Sequence, residues 1–173
     1  MMRLATIFLL TLCGCATTPS DASVHAPVSP TSSGHFEELE VVYRAWDEIQ
    51  IVGNRDAQEA ALHAKIDGAA QLHARYTELA AHSQPPWDLA ARYRGATIQH
   101  RFAAALRHAE NPFQDGTEAF YLHRDKLIEL AIPMEDAARR EYRKIATEDR
   151  GSWGAKARQG LRELDLLRLE TEK

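Results

Sequence analysis

The stretch PWDLAARYRGATIQHRFAAALRHAE, from Pro86 to Glu110, decides the fold class of this 173-residue chain. Small and apolar residues recur in it at steps of three and four, which is the period of an α-helix. They form two stripes, one at Ala91, Gly95, Ile98, Phe102, Ala105 and Ala109 and the other at Leu89, Tyr93, Ala96 and Ala103. A helix that is apolar on two sides packs against neighbours on both, so this segment is predicted to be the central helix of a helical domain.

The same period predicts five further helices around this one, and no segment of any length alternates with the period of a β-strand. Glycine and proline lie where these helices should end, and Pro133 is expected to begin a helix of its own. The six predicted helices span 36–52, 56–83, 86–110, 117–131, 133–149 and 153–170. Short loops make consecutive helices antiparallel neighbours. The expected fold is therefore all-α, with about six helices in antiparallel hairpins that form either a closed bundle or a short solenoid.

Both cysteines of the chain lie close together near its start, at positions 13 and 15. A positive residue, Arg3, and an apolar run from Leu4 to Leu12 precede them, which is the order of a secretory signal, and the run is too short to span a bilayer. The sequence Leu12-Cys13-Gly14-Cys15 resembles the lipobox of bacterial lipoproteins. In that family the cysteine after the small residue is acylated and becomes the new N-terminus, and the matching residue is Cys15. The alternatives are a plain signal peptide cut after Ala16 and an uncleaved apolar tail.

The lipoprotein resemblance implies three segments: a signal peptide over 1–14, a lipidated N-terminus with a tether over 15–34, and a helical domain over 35–173. The tether is rich in Pro, Ser, Thr and Ala, a composition that favours disorder. Because Ala16 and not Asp follows the acylated cysteine, the resemblance implies the outer membrane, on its periplasmic face. Display at the cell surface is the alternative.

Residues 87–168 resemble the tetratricopeptide-repeat class. Ala138-x3-Tyr142-x2-Ile145 is similar to the second helix of such a repeat, and the sets Trp153-x3-Ala157 and Ala91-x3-Gly95-x2-Ile98 are similar to first helices. The same region resembles the C-terminal segment of large periplasmic repeat proteins of gliding bacteria. The step from Ala138 to Trp153 is shorter than a regular repeat would give. The resemblance therefore implies an irregular, short α-solenoid of the kind that binds other proteins.

The composition and the histidine spacing favour a binding protein over an enzyme. The net charge of −4 is mild, and together with the secretory signal it argues against nucleic acid as a partner. No two of the eight histidines lie three or four residues apart, and HExxH is absent, so neither a metal site nor a cofactor is predicted. His123-Arg124-Asp125 matches one fragment of a kinase signature without the rest of it. We therefore predict no catalytic residue.

One set of polar residues on the central segment is a candidate partner-binding site. Arg94, Arg101 and His108 are spaced by seven residues, which is close to two helical turns, and Thr97 lies between the first two. Such a basic stripe can line a groove that receives an acidic segment or a C-terminal carboxylate. The alternative is a solvated face whose charges pair with nearby Glu and Asp.

These features predict a lipid-anchored adaptor that binds other envelope proteins, as part of a motility or secretion machine. An alternative in the same class is a pilotin, a small lipoprotein that carries a secretin to the outer membrane. An alternative from another class is a peptidoglycan-modifying enzyme. That activity requires a cleft with a perturbed carboxylate, and no sequence feature indicates one.

Overall fold

A computed structural model of the chain describes residues 31–171, and within them it contains five α-helices and no strand. The helices are α1 (Ser32–Asp47), α2 (Arg55–His82), α3 (Trp87–Arg107), α4 (Glu118–Glu148) and α5 (Ser152–Thr171). The predicted all-α fold class is thus confirmed. The predicted signal peptide, the lipidation residue Cys15 and most of the predicted tether lie outside the described residues.

The central position that the sequence predicts for α3 is confirmed by the packing. α3 packs against all four other helices, most extensively against α4 and α2. Within residues 31–171, α2 and α4 do not pack against each other, and neither do α1 and α5. The helices therefore lie in two layers, with α1, α3 and α5 in one and α2 and α4 in the other.

Pro133 lies inside α4, so the predicted break there is wrong, and the predicted helices 117–131 and 133–149 are one helix. A proline inside a helix is costly because it lacks an N–H and its ring crowds the carbonyl one turn earlier. Pro133 and Glu129, whose carbonyl loses its partner, are both exposed, so water can bind that carbonyl. The buried positions keep a helical step on both sides of the proline, at Leu127, Ala131, Glu135, Ala138, Tyr142 and Ile145.

The first helix begins earlier than the sequence predicts. α1 runs from Ser32 to Asp47 instead of over 36–52. Thr31 caps it, because its hydroxyl oxygen accepts a hydrogen bond from the backbone N–H of Gly34 at 3.4 Å. Helical structure thus starts a few residues before the predicted domain boundary.

The core consists of two apolar clusters that share α3 and α4. The larger one joins α1, α2, α3 and the first half of α4, and its buried members include Tyr43, Trp46, Leu72, Tyr76, Ile98, Phe102 and Leu106. The smaller one joins α3, the second half of α4 and α5 through Ala96, Ala138, Tyr142, Ile145, Ala157 and Leu164. Since α3 contributes to both clusters, the other helices are assembled around it.

Trp46 fixes the end of α1 on α2 and is a packing residue. Its indole N–H donates to the carbonyl of Lys65 at 2.9 Å. The buried Lys65 amine in turn donates to the carbonyls of Trp46 and Asp47, at 3.3 and 3.4 Å, and so satisfies carbonyls at the end of α1. Gly68 makes room for the ring, because a Cβ there would lie 2.5 Å from Trp46 Cδ1.

The apolar stripe that the sequence predicts on α2 is only partly buried. The predicted stripe is Leu62, Ile66, Ala69, His73, Tyr76 and Ala80. Ala69 and Tyr76 are buried, but Ile66 is 42% exposed and His73 is exposed. The buried face is centred instead on Leu72 and includes Lys65 and Leu79, because α2 packs against α1 as well as α3. Ile66 and His73 face the space between α2 and α4.

Candidate functional site

Arg94, the first of the predicted partner-binding residues, is bound within the fold. Its guanidinium donates two hydrogen bonds to the two carboxylate oxygens of Glu40, at 2.6 and 2.5 Å. The same carboxylate accepts the Tyr76 hydroxyl at 2.8 Å, and the guanidinium carbon lies 4.2 Å from the ring centroid of Tyr43. Burial opposes the charge of Arg94, but the hydrogen bonds and charge of Glu40 outweigh it, so the pKa of Arg94 is raised. This cluster joins α1, α2 and α3.

Thr97 is buried between α3 and α4. Its hydroxyl donates to the carbonyl of Tyr93 at 2.9 Å and accepts the hydroxyl of Tyr142 at 3.2 Å. The Tyr142 oxygen also lies 3.5 Å from His100 Nδ1. Burial lowers the pKa of His100 and raises that of Tyr142, so both are held neutral at physiological pH. Thr97 therefore belongs to a buried polar network.

Arg101 and His108 are the exposed members of the predicted set. The side chain of Arg101 is 55% exposed, and its Nε lies 3.5 Å from a carboxylate oxygen of Asp47. His108 is exposed and follows the last residue of α3. The four predicted residues thus have different surroundings, and the structure does not gather them along one open groove. As a partner-binding set they stay a prediction.

An open groove lies elsewhere, between α2 and α4 along α3, and we call it the α2–α4 groove. It contains two cavities, of about 350 and 280 Å³. The first lies over a floor of small residues on α3, which are Ala91, Gly95 and Ala96. The second is more apolar and includes Ile51, Leu62, Phe113 and Leu127. The groove is open because α2 and α4 both pack on α3 without packing on each other.

Each wall of the α2–α4 groove is a series of residues spaced by seven. On α2 the series is Glu59, Ile66, His73 and Ala80, and on α4 it is His123, Leu130, Ala137 and Lys144. The outer members line the two cavities. Residues seven apart share a helix face, so Ile66 and Leu130 lie between the cavities on opposite walls. These two side chains are 42% and 41% exposed.

The cavity at the Lys144 end of the groove carries an excess of positive charge. Its lining includes the cations Arg92, Arg140 and Lys144 and the single carboxylate of Glu141. Arg92 is bound to Glu141 at 2.7 Å and, outside the lining, to Glu148 at 2.5 Å. Lys144 is 64% exposed, with its amine 3.4 Å from Glu141. Among residues 31–171, no hydrogen bond or ion pair engages the exposed Arg140.

Sequence reasoning missed this groove because it divided α4 at Pro133. That division placed His123 and Leu130 on one predicted helix and Ala137 and Lys144 on another, so their common spacing was hidden. The width of the predicted α2 stripe was a usable signal, because a stripe wider than the face that two neighbouring helices cover leaves part of itself exposed.

A second buried charge pair lies away from the groove. Arg107 donates to Glu135, and the two side chains are 4% and 1% exposed. The other carboxylate oxygen of Glu135 is buried without a hydrogen-bond partner in the described part of the chain. Removing one partner of such a pair would leave an uncompensated buried charge, so we assign this pair a structural role in joining α3 to α4.

No group of three or more His, Cys, Asp or Glu side chains within residues 31–171 is placed to hold a metal ion. None of the helices in this region combines the length and apolarity needed to cross a bilayer. Comparison of the chain with protein-family models, with curated proteins and with solved structures found no match.

Proposed function

We propose that this protein is a lipid-anchored adaptor of the bacterial envelope, which binds another envelope protein in the α2–α4 groove. The lipid on Cys15 and the tether would hold the helical domain at the periplasmic face of the outer membrane. The helical domain would act as a short, tetratricopeptide-repeat-like stack whose work is binding. The two-layer order, in which each helix packs on its neighbours in sequence, supports that arrangement.

The observation that carries the proposal is the exposed apolar side chain in each wall of the α2–α4 groove. By their seven-residue spacing from the cavity-lining residues, Ile66 and Leu130 lie on the groove sides of α2 and α4, and each is about two-fifths exposed. Single exposed apolar residues are common, but opposed apolar residues over a concave floor are typical of a protein-binding groove. The predicted set of Arg94, Thr97, Arg101 and His108 offers less to a partner, because its first two members are engaged within the fold.

In-cell photo-crosslinking tests the adaptor proposal. A photoreactive amino acid is placed at Gln99 or Thr77, which line the groove, and in a control at Gln159, which is exposed on α5. The proposal expects one envelope protein to be captured from both groove positions and not from Gln159. A motility component would identify a scaffold, and a secretin would identify a pilotin. Absence of capture from both groove positions in a folded, lipidated protein would contradict the proposal.

The anchor is tested separately by substitution of the two cysteines. Cys15→Ser should abolish the mass increase of lipidation and move the protein from the membrane fraction to the soluble periplasmic fraction. Cys13→Ser is the control and should leave both properties unchanged, since that residue is removed with the signal peptide. A Cys15→Ser protein that stays in the membrane, with its mass altered by the substitution alone, would refute the lipid anchor.

A further inference from the structure

From the charges and the apolar walls of the α2–α4 groove we infer that its occupant is an acidic, amphipathic segment of a partner protein. This inference rests on the proposed function and names the chemistry of the partner. The segment would place apolar side chains between Ile66 and Leu130 and carboxylates beside Arg140 and Lys144.

The positive end of the groove determines the sign of the partner's charge. Arg92, Arg140 and Lys144 outnumber the one carboxylate, Glu141, in the lining of that cavity. Arg92 is largely neutralised by its two Glu partners, so Arg140 and Lys144 are the cations that can receive new carboxylates. An unpaired guanidinium beside an apolar surface gains more from a carboxylate than the same group in open solvent, because the occupant excludes water.

The exposed face of α2 explains where the apolar half of the segment binds. The sequence places an apolar stripe on α2 that is wider than the face covered by α1 and α3, and Ile66 belongs to its uncovered part. Leu130 supplies the opposite wall. The two wall series extend over about 30 Å at 1.5 Å per residue, so the groove can hold a segment with distinct apolar and acidic parts.

The test measures how charge in the groove affects the yield of the crosslink from Gln99. Arg140→Glu with Lys144→Glu should lower that yield at least tenfold. The matched control is Arg143→Glu with Arg162→Glu, which makes the same change of net charge at exposed sites outside the groove and should leave the yield unchanged. Arg140→Gln with Lys144→Gln is the milder variant if the reversed pair alters the circular dichroism spectrum, and it should lower the yield severalfold.

The captured peptide, sequenced by mass spectrometry, gives an independent readout. The inference expects more Asp and Glu than Lys and Arg in the crosslinked segment, together with apolar residues at helical or alternating spacing. An unchanged yield in both groove variants, or a captured segment without acidic excess, would overturn this inference and leave the adaptor proposal standing. Absence of capture from both Gln99 and Thr77 would overturn this inference and the adaptor proposal together.

Discussion

At the scale of single residues, the most consequential side chain is Arg94. Its bidentate contact with Glu40, the Tyr76 hydroxyl on the same carboxylate and the Tyr43 ring beneath it join three helices at one point. The side chains of Arg94 and Glu40 are 21% and 17% exposed, so water screens their interaction poorly. An arginine that looks available in the sequence is thus part of the framework.

The first prediction concerns charge reversal at Arg94. Arg94→Glu would place two carboxylates together in a largely buried site, so we expect the free energy of unfolding to fall by about 3 kcal/mol. Arg101→Glu is the control and should cost less than about 1 kcal/mol, because that side chain is half exposed and makes one long ion pair. Urea unfolding followed by circular dichroism measures both. Equal, small losses in the two variants would show that the Glu40 contact does not stabilise the fold.

The second prediction concerns His100 and pH. Burial lowers its pKa in the folded state below the value of about 6.5 that it has when unfolded. The unfolded chain therefore binds a proton more readily, and stability is lost as the pH falls from about 6.5 toward the folded pKa. His100→Gln should remove this part of the pH dependence while leaving the part due to other groups. The free energy of unfolding of both proteins is measured between pH 7.5 and 5. An equal dependence on pH in the two proteins would contradict the prediction.

At the scale of secondary-structure elements, α4 is the helix that the sequence describes least well. Pro133 predicts a break, yet the helix runs through it from Glu118 to Glu148. The burial of Ala131 and Ala138 on one face is strong enough to hold both halves in line, while the unpaired carbonyl of Glu129 is left to water. The same continuity places Leu130 and Lys144 along one wall of the α2–α4 groove.

The third prediction tests this account of Pro133. Pro133→Ala restores one helical hydrogen bond and removes the ring's crowding, a gain of at most about 3 kcal/mol. The same change increases the conformational entropy of the unfolded chain, which lowers the stability of the fold by about 0.4–1 kcal/mol. We therefore expect chemical unfolding to show a net stabilisation of about 1–2 kcal/mol for Pro133→Ala. Asp136→Ala, an exposed control one turn away, should change the free energy of unfolding by less than about 0.5 kcal/mol. A loss of stability in Pro133→Ala would mean that the proline has a structural role of its own.

At the scale of the whole molecule, two apolar clusters are connected through α3 and α4. One cluster contains Leu72 on α2, and the other contains Leu164 on α5, on opposite sides of the shared helices. Because neither cluster is complete without α3, we expect the described region to unfold as one cooperative unit.

The fourth prediction tests that cooperativity. Leu72→Ala and Leu164→Ala each leave a cavity at a fully buried position and should each cost about 2–5 kcal/mol. In both variants the loss of helix, followed by far-ultraviolet circular dichroism, should coincide with the loss of packing, followed by tryptophan fluorescence. Separate transitions in the Leu164→Ala protein would show instead that α5 unfolds independently.

The sequence by itself determined the all-α class, the central place of α3 and the residues that pack its two apolar sides. Those properties follow from the period of the apolar residues, which is a local property of the chain. The sequence could not predict the candidate site equally well, because the charges that stay free are decided by partners far away along the chain. Glu40 lies far from Arg94 and Glu135 lies far from Arg107 along the chain, and nothing local indicates either pair.

The tertiary structure alone decided the continuity of α4, the internal role of Arg94 and the position of the open groove. Each depends on how helices are placed relative to one another. Pro133 is tolerated because its side of α4 faces solvent, and Ile66 is exposed because α2 and α4 do not meet over α3. Local periodicity gives the apolar faces of each helix, but only the assembled packing shows which of those faces is left uncovered.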